Sequence, residues 1–363
     1  MMLASPITEF GKMTIMIMAG GTGGHVYPAM AVADHLKEHG WNVVWLATEG
    51  GMENKLIDGK PYAKATISMR GVRGKGLLGW VLLPIQLVTA FKQSITAIRK
   101  HKPNVVLGMG GFAAFPGGLM AKVLGKPLVI HEQNAIAGLT NKVLAIFATR
   151  VLAAFPSAFG DKATLVGNPV RQQITQLATP EQRYQQRSGK LNLLIVGGSL
   201  GAQALNDVLP IALANLPAET FNVVHQAGEK HIAALQANYQ AAKVPAEAIA
   251  FINNMSEMYA WADVVICRAG ALTIAELACV GVASVLVPFP HAVDDHQTYN
   301  AQFLSDAGAA KLIQQTAFNV QKATEILRCL TRESCLDMAI KAKALAKPDA
   351  TETVAKICME LAL

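Results

Sequence analysis

The sequence predicts an α/β protein with two doubly wound parallel sheets, one in each half of the chain. Its 363 residues exceed what a single hydrophobic core usually serves, and 52% of them are apolar. Aromatic residues make up only 6%, which disfavours a β-propeller or a β-sandwich. The third observation is a repeat, in which an apolar strand, a glycine turn and an amphipathic helix follow one another twice.

The two copies of the repeat begin 177 residues apart, at Thr14 and Leu191. A strand, a glycine turn with a hydroxyl residue in third place and a helix form the opening unit of a doubly wound sheet. The first copy has its strand at 14–19, its turn at 20–25 (GGTGGH) and its helix at 29–39; the second has them at 191–196, 197–202 (GGSLGA) and 204–216.

Further apolar segments alternate with helical ones, which is typical of parallel sheets covered by helices on both faces. Between the halves, Gly167 to Arg171 leads into a glutamine-rich stretch ending near Gly189, where we place a hinge. We therefore expect domains at 1–169 and 170–349, with a deep cleft between the carboxyl ends of both sheets. The further predicted strands are 43–46, 105–108, 128–130, 222–225, 264–267 and 284–287.

Positive charge is concentrated in the first half of the chain. The net charge of +7 divides into +9 for residues 1–169 and −2 for the rest. Residues 59–131 contain 11 Lys and Arg and no Asp or Glu. This stretch predicts contact with an anionic partner, although burial of part of it would also keep acids away. We expect no nucleic acid among the partners.

An apolar segment, 77–88, follows the basic loop 70–76. Cations beside an apolar turn favour docking in the headgroup region of an anionic membrane, through residues 70–88. A core helix over 82–98 is the alternative interpretation. The uncharged run 105–121 is too short to cross a bilayer.

Two further patterns concern the cellular compartment of the protein and the state of its cysteines. The first dozen residues hold Glu9 and no apolar run, so no secretory signal is expected and the protein should stay in the cytosol. The five cysteines include no Cys-x-x-Cys pair, and we predict that they are buried thiols.

The first glycine turn, 20–25, is a candidate reaction centre. Glycines let backbone N–H groups approach a ligand closely, and the turn opens a helix whose positive end favours anions or developing negative charge. His25 lies at the mouth of this turn. An ordinary histidine can take a proton from a hydroxyl near neutral pH, but a capping or packing role fits the spacing equally well.

A second candidate site follows the predicted strand 264–267. Thr273 and Glu276 share a helix face, so helix-start N–H groups and a hydroxyl would hold a diphosphate while the carboxylate accepts both hydroxyls of a ribose. A capping box between Glu276 and Thr273 is the alternative. The polar loop 291–300 could line the same cleft.

No strong metal-site pattern occurs. The His and Asp residues of 291–300 lack a typical ligand spacing, and the chain has no Asp-x-Asp. We therefore expect no protein metal site and no tightly bound cofactor, while a divalent cation could still accompany a bound diphosphate.

A loose dinucleotide fingerprint, 108–113 (GMGGFA), follows another predicted strand, and Glu132 would then be its ribose ligand. The fingerprint is not on the first strand, and neither repeat turn matches G-x-G-x-x-G. A nicotinamide-dependent dehydrogenase is therefore one alternative function.

Taken together, the motifs resemble those of the MurG glycosyltransferases, from about Thr14 to the C-terminus. That family has the GT-B fold, with two Rossmann-like domains facing a cleft. Its inverting reaction adds N-acetylglucosamine to undecaprenyl-pyrophosphoryl-N-acetylmuramoyl-pentapeptide, lipid I, to make lipid II for peptidoglycan. The motifs are GGTGGHVYPA (20–29), GVRGKG (71–76), GMGGFAAFPG (108–117), HEQNAIAGLTNK (131–142), GNPVR (167–171), GGSLGAQALN (197–206), CRAGALTIAE (267–276) and DHQTYNA (295–301).

The resemblance implies a site for UDP-N-acetylglucosamine, held mainly by the second domain. Ile252 would lie beside the uracil, Glu276 on the ribose and Gln297 near the sugar. His25 would be the catalytic base, with lipid I bound in the first domain. Thr22, Gly23, Gly24, Asn134 and Arg171 would approach the donor from the first domain and the hinge, and Ser199, Ala271, Leu272 and Thr273 would surround the phosphates, with Ile274 and Ala275 as further binding residues.

The resemblance also implies a peripheral location on the cytoplasmic face of the bacterial inner membrane. The last helix, about 350–363, is expected to pack back on the first domain, and residues 1–12 look like an extension. Two other functions remain as alternatives, a UDP-N-acetylglucosamine 2-epimerase, which needs no lipid, and a non-catalytic membrane-recruiting subunit.

Overall fold

The computed structural model describes residues 12–69, 76–198 and 201–363, without the side chains of 76–82. These residues form two parallel sheets, of seven and six strands, so the predicted fold class is confirmed. The first sheet contains β1 (Thr14–Met18), β2 (Asn42–Thr48), β3 (Ala63–Ile67), β4 (Val105–Gly108), β5 (Leu128–Glu132), β6 (Arg150–Ala153) and β7 (Thr164–Leu165). The second contains β8 (Leu191–Val196), β9 (Phe221–Gln226), β10 (Glu247–Ile249), β11 (Val264–Cys267), β12 (Ala283–Leu286) and β13 (Ala310–Leu312).

Both sheets have the strand order of a doubly wound fold. The orders are β3-β2-β1-β4-β5-β6-β7 and β10-β9-β8-β11-β12-β13. The direction in which strands are added reverses between β1 and β4, and again between β8 and β11. Ligands bind outside the carboxyl ends of the strands at such switch points. The two glycine turns, which follow β1 and β8, lie at these points.

Helices connect the strands. The first helix begins at Gly23, six residues before the predicted start, and continues through Pro28. Val26 is fully buried in one apolar cluster with Ile15 and Ile17 of β1, and Pro28 is also buried. The helices of the described residues are α1 (Gly23–Glu38), α2 (Met52–Leu56), α3 (Gly76–His101), α4 (Ala114–Val123), α5 (Leu139–Leu144), α6 (Gln172–Thr175), α7 (Pro180–Tyr184), α8 (Gln203–Ala214), α9 (Ile232–Ala242), α10 (Met255–Trp261), α11 (Ala271–Val280), α12 (His296–Ser305), α13 (Val320–Arg328), α14 (Arg332–Ala344) and α15 (Ala350–Ala362).

The central strands β1, β4 and β11 are largely apolar, as is typical of strands that helices cover on both faces. Residues 15–18 of β1 have no exposed surface. Ile15 and Ile17 pack in one cluster with α1, whereas Met16 and Met18 pack in another with α3 and α4. This alternation is the two-residue period of a strand.

The C-terminal helix, α15, lies against the first half of the chain. It contacts α1 and β4, and the fully buried Val354, Ala355 and Cys358 join the cluster of Val26. Thr351 Oγ1 also donates a hydrogen bond to the carbonyl of Val170. The chain therefore crosses between its halves twice, once near residue 170 and once before α15.

The helix α3 differs in burial along its length, and its later part agrees with the core-helix interpretation. Its later part packs on the sheet, with Ala90, Ala97 and Ile98 buried. Further upstream, Ile85 and Val88 are 66% and 53% exposed. The basic loop at 70–75 lies outside the described residues. Among the helices that are described, none has both the length and the apolar character required to traverse a bilayer.

Four of the five cysteines are buried, as predicted, but Cys329 is exposed. Cys329 is the C-cap of α13 and is exposed although Leu327 and Leu330 on either side of it are buried, so the prediction of a buried thiol is wrong at this position. The other four thiols are Cys267, Cys279, Cys335 and Cys358.

Candidate active site

The first glycine turn is packed against a second glycine loop. Gly111, with φ at +89°, lies so close to this turn that an added Cβ would be 2.4 Å from the carbonyl oxygen of Gly20. Gly110 lies beside the ring of His25, and a Cβ there would be 2.9 Å from Nδ1. The 108–113 loop therefore supports the first turn, and its glycines are required for that close approach.

A buried carboxylate that the sequence analysis missed, Glu53, stabilises the same turn. It has no exposed surface, and it accepts hydrogen bonds from the amide and hydroxyl of Thr48, at 2.8 and 2.7 Å, and from the amide of Gly21, at 3.3 Å. The amide of Gly21 is thus satisfied internally. The N–H groups at the start of α1, those of Gly23 and Gly24, are the ones that the helix leaves available to an anion.

His25 lies in the first turn of α1 and is half-buried. Its Nδ1 is 2.7 Å from Oε1 of Gln133, and no described residue hydrogen-bonds its Nε2. The N-cap of α1 is Thr22, and within the described part of the chain no side chain caps the helix. The ring of His25 therefore does not cap its own helix.

The loop after β5 is organised by Glu132, which is 1% exposed. One carboxylate oxygen accepts from the amide and the side chain of Asn134, at 3.0 and 3.2 Å. The other accepts from the amide of Gly138, at 3.1 Å, and from Asn141 Nδ2, at 2.9 Å. These four bonds occupy the carboxylate, so Glu132 is unavailable as the ribose ligand of the dehydrogenase interpretation.

The same loop joins the first half of the chain to the second. Asn300, in α12, is fully buried and accepts a hydrogen bond from the amide of Ala135 at 2.8 Å. Its Nδ2 donates to Asn134 Oδ1 at 3.3 Å and to the carbonyl of Ala269 at 3.2 Å. Asn134 is therefore held beside the loop that precedes α11.

Glu276 and Arg171, both predicted as binding residues, contact each other. Arg171 Nη2 is 3.2 Å from Glu276 Oε1, and the hydroxyl of Tyr259 donates to Oε2 at 3.1 Å. Glu276 is 5% exposed, and burial raises the pKa of its carboxyl. Thr273 lies inside α11, whose N-cap is Gly270, so the alternative of a capping box between Thr273 and Glu276 is wrong. Tyr259 was missed because it lies in a different helix, 17 residues away.

The start of α11 resembles an anion site. Its N-cap is Gly270, and no side chain of the described residues accepts from its first amides, which belong to Ala271, Leu272 and Thr273. Ile274 has no exposed surface, so its side chain faces the core, whereas Ala275 is half-buried.

Two further predicted residues lie near this helix. Ile252 is 7% exposed and packs in the same cluster as Leu272. Gln297 Oε1 accepts from the amides of Ala269 and Phe289, at 3.2 and 2.9 Å, and so ties two loops together. Ser199 lies outside the described residues. Within those residues, no group of three or more His, Cys, Asp or Glu side chains is arranged to hold a metal ion.

Family comparisons agree with this architecture. The model of the glycosyltransferase family 28 N-terminal domain matches residues 15–153, and that of the C-terminal domain matches residues 192–354. A UDP-GlcNAc 2-epimerase from Neisseria meningitidis has a TM-score of 0.65 at 14% identity, covering 96% of this chain and all of the other. At that identity the likeness shows the fold alone.

Much closer similarity extends over the whole chain. A relative from Nitrosospira multiformis is 54% identical over 96% of this chain and 98% of its own length, and one from Dechloromonas aromatica is 55% identical over 96% and 99%. Both are named UDP-N-acetylglucosamine--N-acetylmuramyl-(pentapeptide) pyrophosphoryl-undecaprenol N-acetylglucosamine transferase. The crystal structure of MurG from Acinetobacter baumannii has a TM-score of 0.86 at 42% identity, covering 96% of this chain and 99% of that one. The chain therefore belongs to glycosyltransferase family 28, has the GT-B fold, and is a member of the MurG group of that family.

Proposed function

We propose that the protein transfers N-acetylglucosamine from UDP-N-acetylglucosamine to the muramoyl 4-hydroxyl of lipid I, giving lipid II in peptidoglycan synthesis. The observation that carries this proposal is the contact between α1, which bears His25, and α11, which bears Thr273 and Glu276. The helix that bears the candidate base thus contacts the helix whose start is the candidate diphosphate site. The names of the relatives supply the substrates.

In this proposal, residues 170–349 form the donor-binding domain. Residues 1–169, with the helix at 350–363, form the acceptor domain. The start of α11, together with Ser199, would hold the diphosphate. Ile252 would lie beside the uracil, Gln297 near the sugar, and Asn134 and Arg171 would reach the donor from the loop and the hinge.

The reaction would be a single displacement. His25 Nε2 takes the proton of the 4-hydroxyl while that oxygen bonds to the anomeric carbon, inverting it. The bond to the diphosphate breaks, and its electron pair leaves with UDP. Arg171 and the N–H groups of α11 would balance the charge that develops on the leaving group, so no tightly bound cofactor is needed.

Glu276→Ala is expected to weaken UDP binding by about 10- to 100-fold, because hydrogen bonds from ribose hydroxyls to a charged acceptor contribute about 1.5–3 kcal/mol. The carboxylate accepts from Arg171 and Tyr259 and has lone pairs left for the ribose. Calorimetric titration of UDP measures the effect.

Tyr259→Phe is the matched control, since it removes a partner of Glu276 and keeps the carboxylate; its loss of UDP affinity should be much smaller. Glu276→Gln keeps the size of the side chain and provides a second test if Glu276→Ala does not fold. Wild-type affinity in folded Glu276→Ala and Glu276→Gln would mean that the carboxylate only holds Arg171 and Tyr259 in place.

We further propose that the first half docks on the anionic cytoplasmic face of the inner membrane through residues 70–88. The exposed Ile85 and Val88, within the acid-free stretch 59–131, support this. Vesicle sedimentation should show binding that rises with anionic lipid and falls with salt, since cations act over about 8 Å at physiological salt.

Replacing Ile85 and Val88 by serine is expected to weaken vesicle binding roughly tenfold or more, because burying one such side chain contributes about 1.5–3 kcal/mol. Ile211 and Ile340, 51% and 41% exposed in the second half, give a matched control pair. Equal losses from both pairs, or wild-type protein that ignores anionic vesicles, would exclude this docking surface.

A further inference from the structure

A continuous series of polar contacts runs from His25 towards the hinge. His25 Nδ1 lies 2.7 Å from Gln133 Oε1, and Gln133 Nε2 lies 3.1 Å from His131 Nδ1. His131 Nε2 in turn lies 2.9 Å from the carbonyl oxygen of Gly167. Each of these three side chains can donate or accept at a given contact, depending on the tautomer of the histidine or the orientation of the amide. Which atom donates and which accepts along the series is therefore set by the one member whose role is fixed.

That member is the carbonyl of Gly167, which can only accept a hydrogen bond. His131 Nε2 must therefore carry a proton. His131 has no exposed surface, and its burial lowers its pKa to about 4, so the ring is neutral at working pH. A neutral ring with a proton on Nε2 has a lone pair on Nδ1, which can only accept.

Gln133 is 1% exposed, and its amide orientation follows from two acceptors. Its Nε2 is 3.1 Å from the lone pair of His131 Nδ1 and also 3.1 Å from the carbonyl oxygen of His131. Both contacts require the NH2 group at this end. The carbonyl end, Oε1, must then face His25, which leaves Nδ1 of His25 as the donor.

We propose that Gln133 is a positioning residue, which holds His25 in the tautomer with its proton on Nδ1 and its lone pair on Nε2. The inference rests on the proposed function, in which His25 Nε2 is the base. The opposite tautomer would bring the lone pair of Nδ1 against Oε1 and leave no base at Nε2. The ring also lies against Gly110, which limits its rotation.

The partner that orients His25 is a neutral amide. Gln133 Oε1 can accept from Nδ1 both before and after the ring takes the substrate proton. It adds no negative charge beside the ring, whereas a carboxylate would favour the protonated form. The arrangement thus selects the tautomer without holding the ring protonated.

The tautomer can be measured directly, by long-range 15N–1H correlation spectra of the histidine rings in the full chain. The wild-type spectrum should show His25 with a protonated Nδ1 and an unprotonated Nε2, its signal assigned by its loss in His25→Ala. A protonated Nε2 on neutral wild-type His25 would overturn the proposal, and this test needs no Gln133 variant.

Gln133→Met keeps the size of the side chain and removes the acceptor. We expect it to shift His25 towards the other tautomer and to lower kcat by about 10- to 100-fold, as for other groups that orient a reactive side chain, with little change in the KM for the donor. Unchanged tautomer and kcat in a folded variant would overturn the proposal.

Tyr239→Phe is the matched control, because the hydroxyl of Tyr239 lies 2.8 Å from Nδ1 of another buried histidine, His225. It should change the His225 signals and leave the His25 signals and kcat unchanged.

Gln133→Glu keeps an acceptor for His25, but its second oxygen would face the lone pair of His131 Nδ1 and the carbonyl oxygen of His131. Burial favours a protonated carboxyl at this position, and its O–H can donate where the NH2 group did. The variant should therefore keep the Nδ1–H tautomer of His25, and loss of that tautomer in the folded variant would count against the proposal. If His25→Ala keeps wild-type turnover while Gln133→Met still shifts the tautomer, the proposed base is wrong and the positioning of the ring by Gln133 stands.

Discussion

Replacing His25 by alanine is expected to lower kcat by about 10²- to 10⁴-fold, the usual contribution of a general base, while UDP affinity stays nearly unchanged. The proton moves only in the transition state, so the loss belongs in kcat. Steady-state kinetics with UDP-N-acetylglucosamine and a soluble lipid I analogue, together with UDP titration, separate the two quantities.

His39→Ala is the matched control for this prediction. His39 follows the same helix, is exposed, and its Nδ1 lies 2.8 Å from the carbonyl oxygen of His35. Its replacement should leave turnover at the wild-type level. Turnover at that level in His25→Ala would instead assign His25 a packing role and remove it from the mechanism.

Replacing Asp263 by alanine is expected to lower the free energy of unfolding by about 3–5 kcal/mol, the usual effect of removing one partner from a buried ion pair. Asp263 has no exposed surface and directly precedes β11. Its two oxygens lie 2.5 Å from Arg187 Nη1 and 3.0 Å from Arg332 Nη1, and the amide of Asn192 donates to it at 2.8 Å. Without the carboxylate, two largely buried cations lose their common counter-ion.

Urea unfolding measures this loss. Asp337→Ala serves as the control, because its pair with Lys341 is exposed, with side-chain exposures of 60% and 47%, and such pairs stabilise little. Asp263→Ala should therefore unfold at a clearly lower urea concentration than Asp337→Ala. Similar midpoints for the two variants would show that Arg187 and Arg332 find other partners.

The central strands and both glycine turns could be predicted from the sequence, since each depends on a local pattern. Runs of apolar residues predict β1, β4, β8 and β11 as strands that helices cover on both faces. The two glycine turns come directly after β1 and β8 in the chain. Five strands at or near the edges, β3, β6, β7, β10 and β13, were not predicted. Each of them contains exposed or half-buried residues, whereas β4 and β11, with four residues each, are buried throughout. No continuous apolar run therefore marks them, and they become strands because a neighbour offers backbone hydrogen bonds.

The residues nearest the glycine turn and the start of α11 could likewise be predicted, because a helix start and its first side chains are contiguous in the chain. Their partners could not. Gln133 lies 108 residues from His25, and Asn300 lies 166 residues from Asn134. Glu53, which stabilises the first turn, belongs to no motif. A hydrogen bond of this kind is fixed by which strands are neighbours and by burial that forbids an unpaired polar group, so only the tertiary structure decides it.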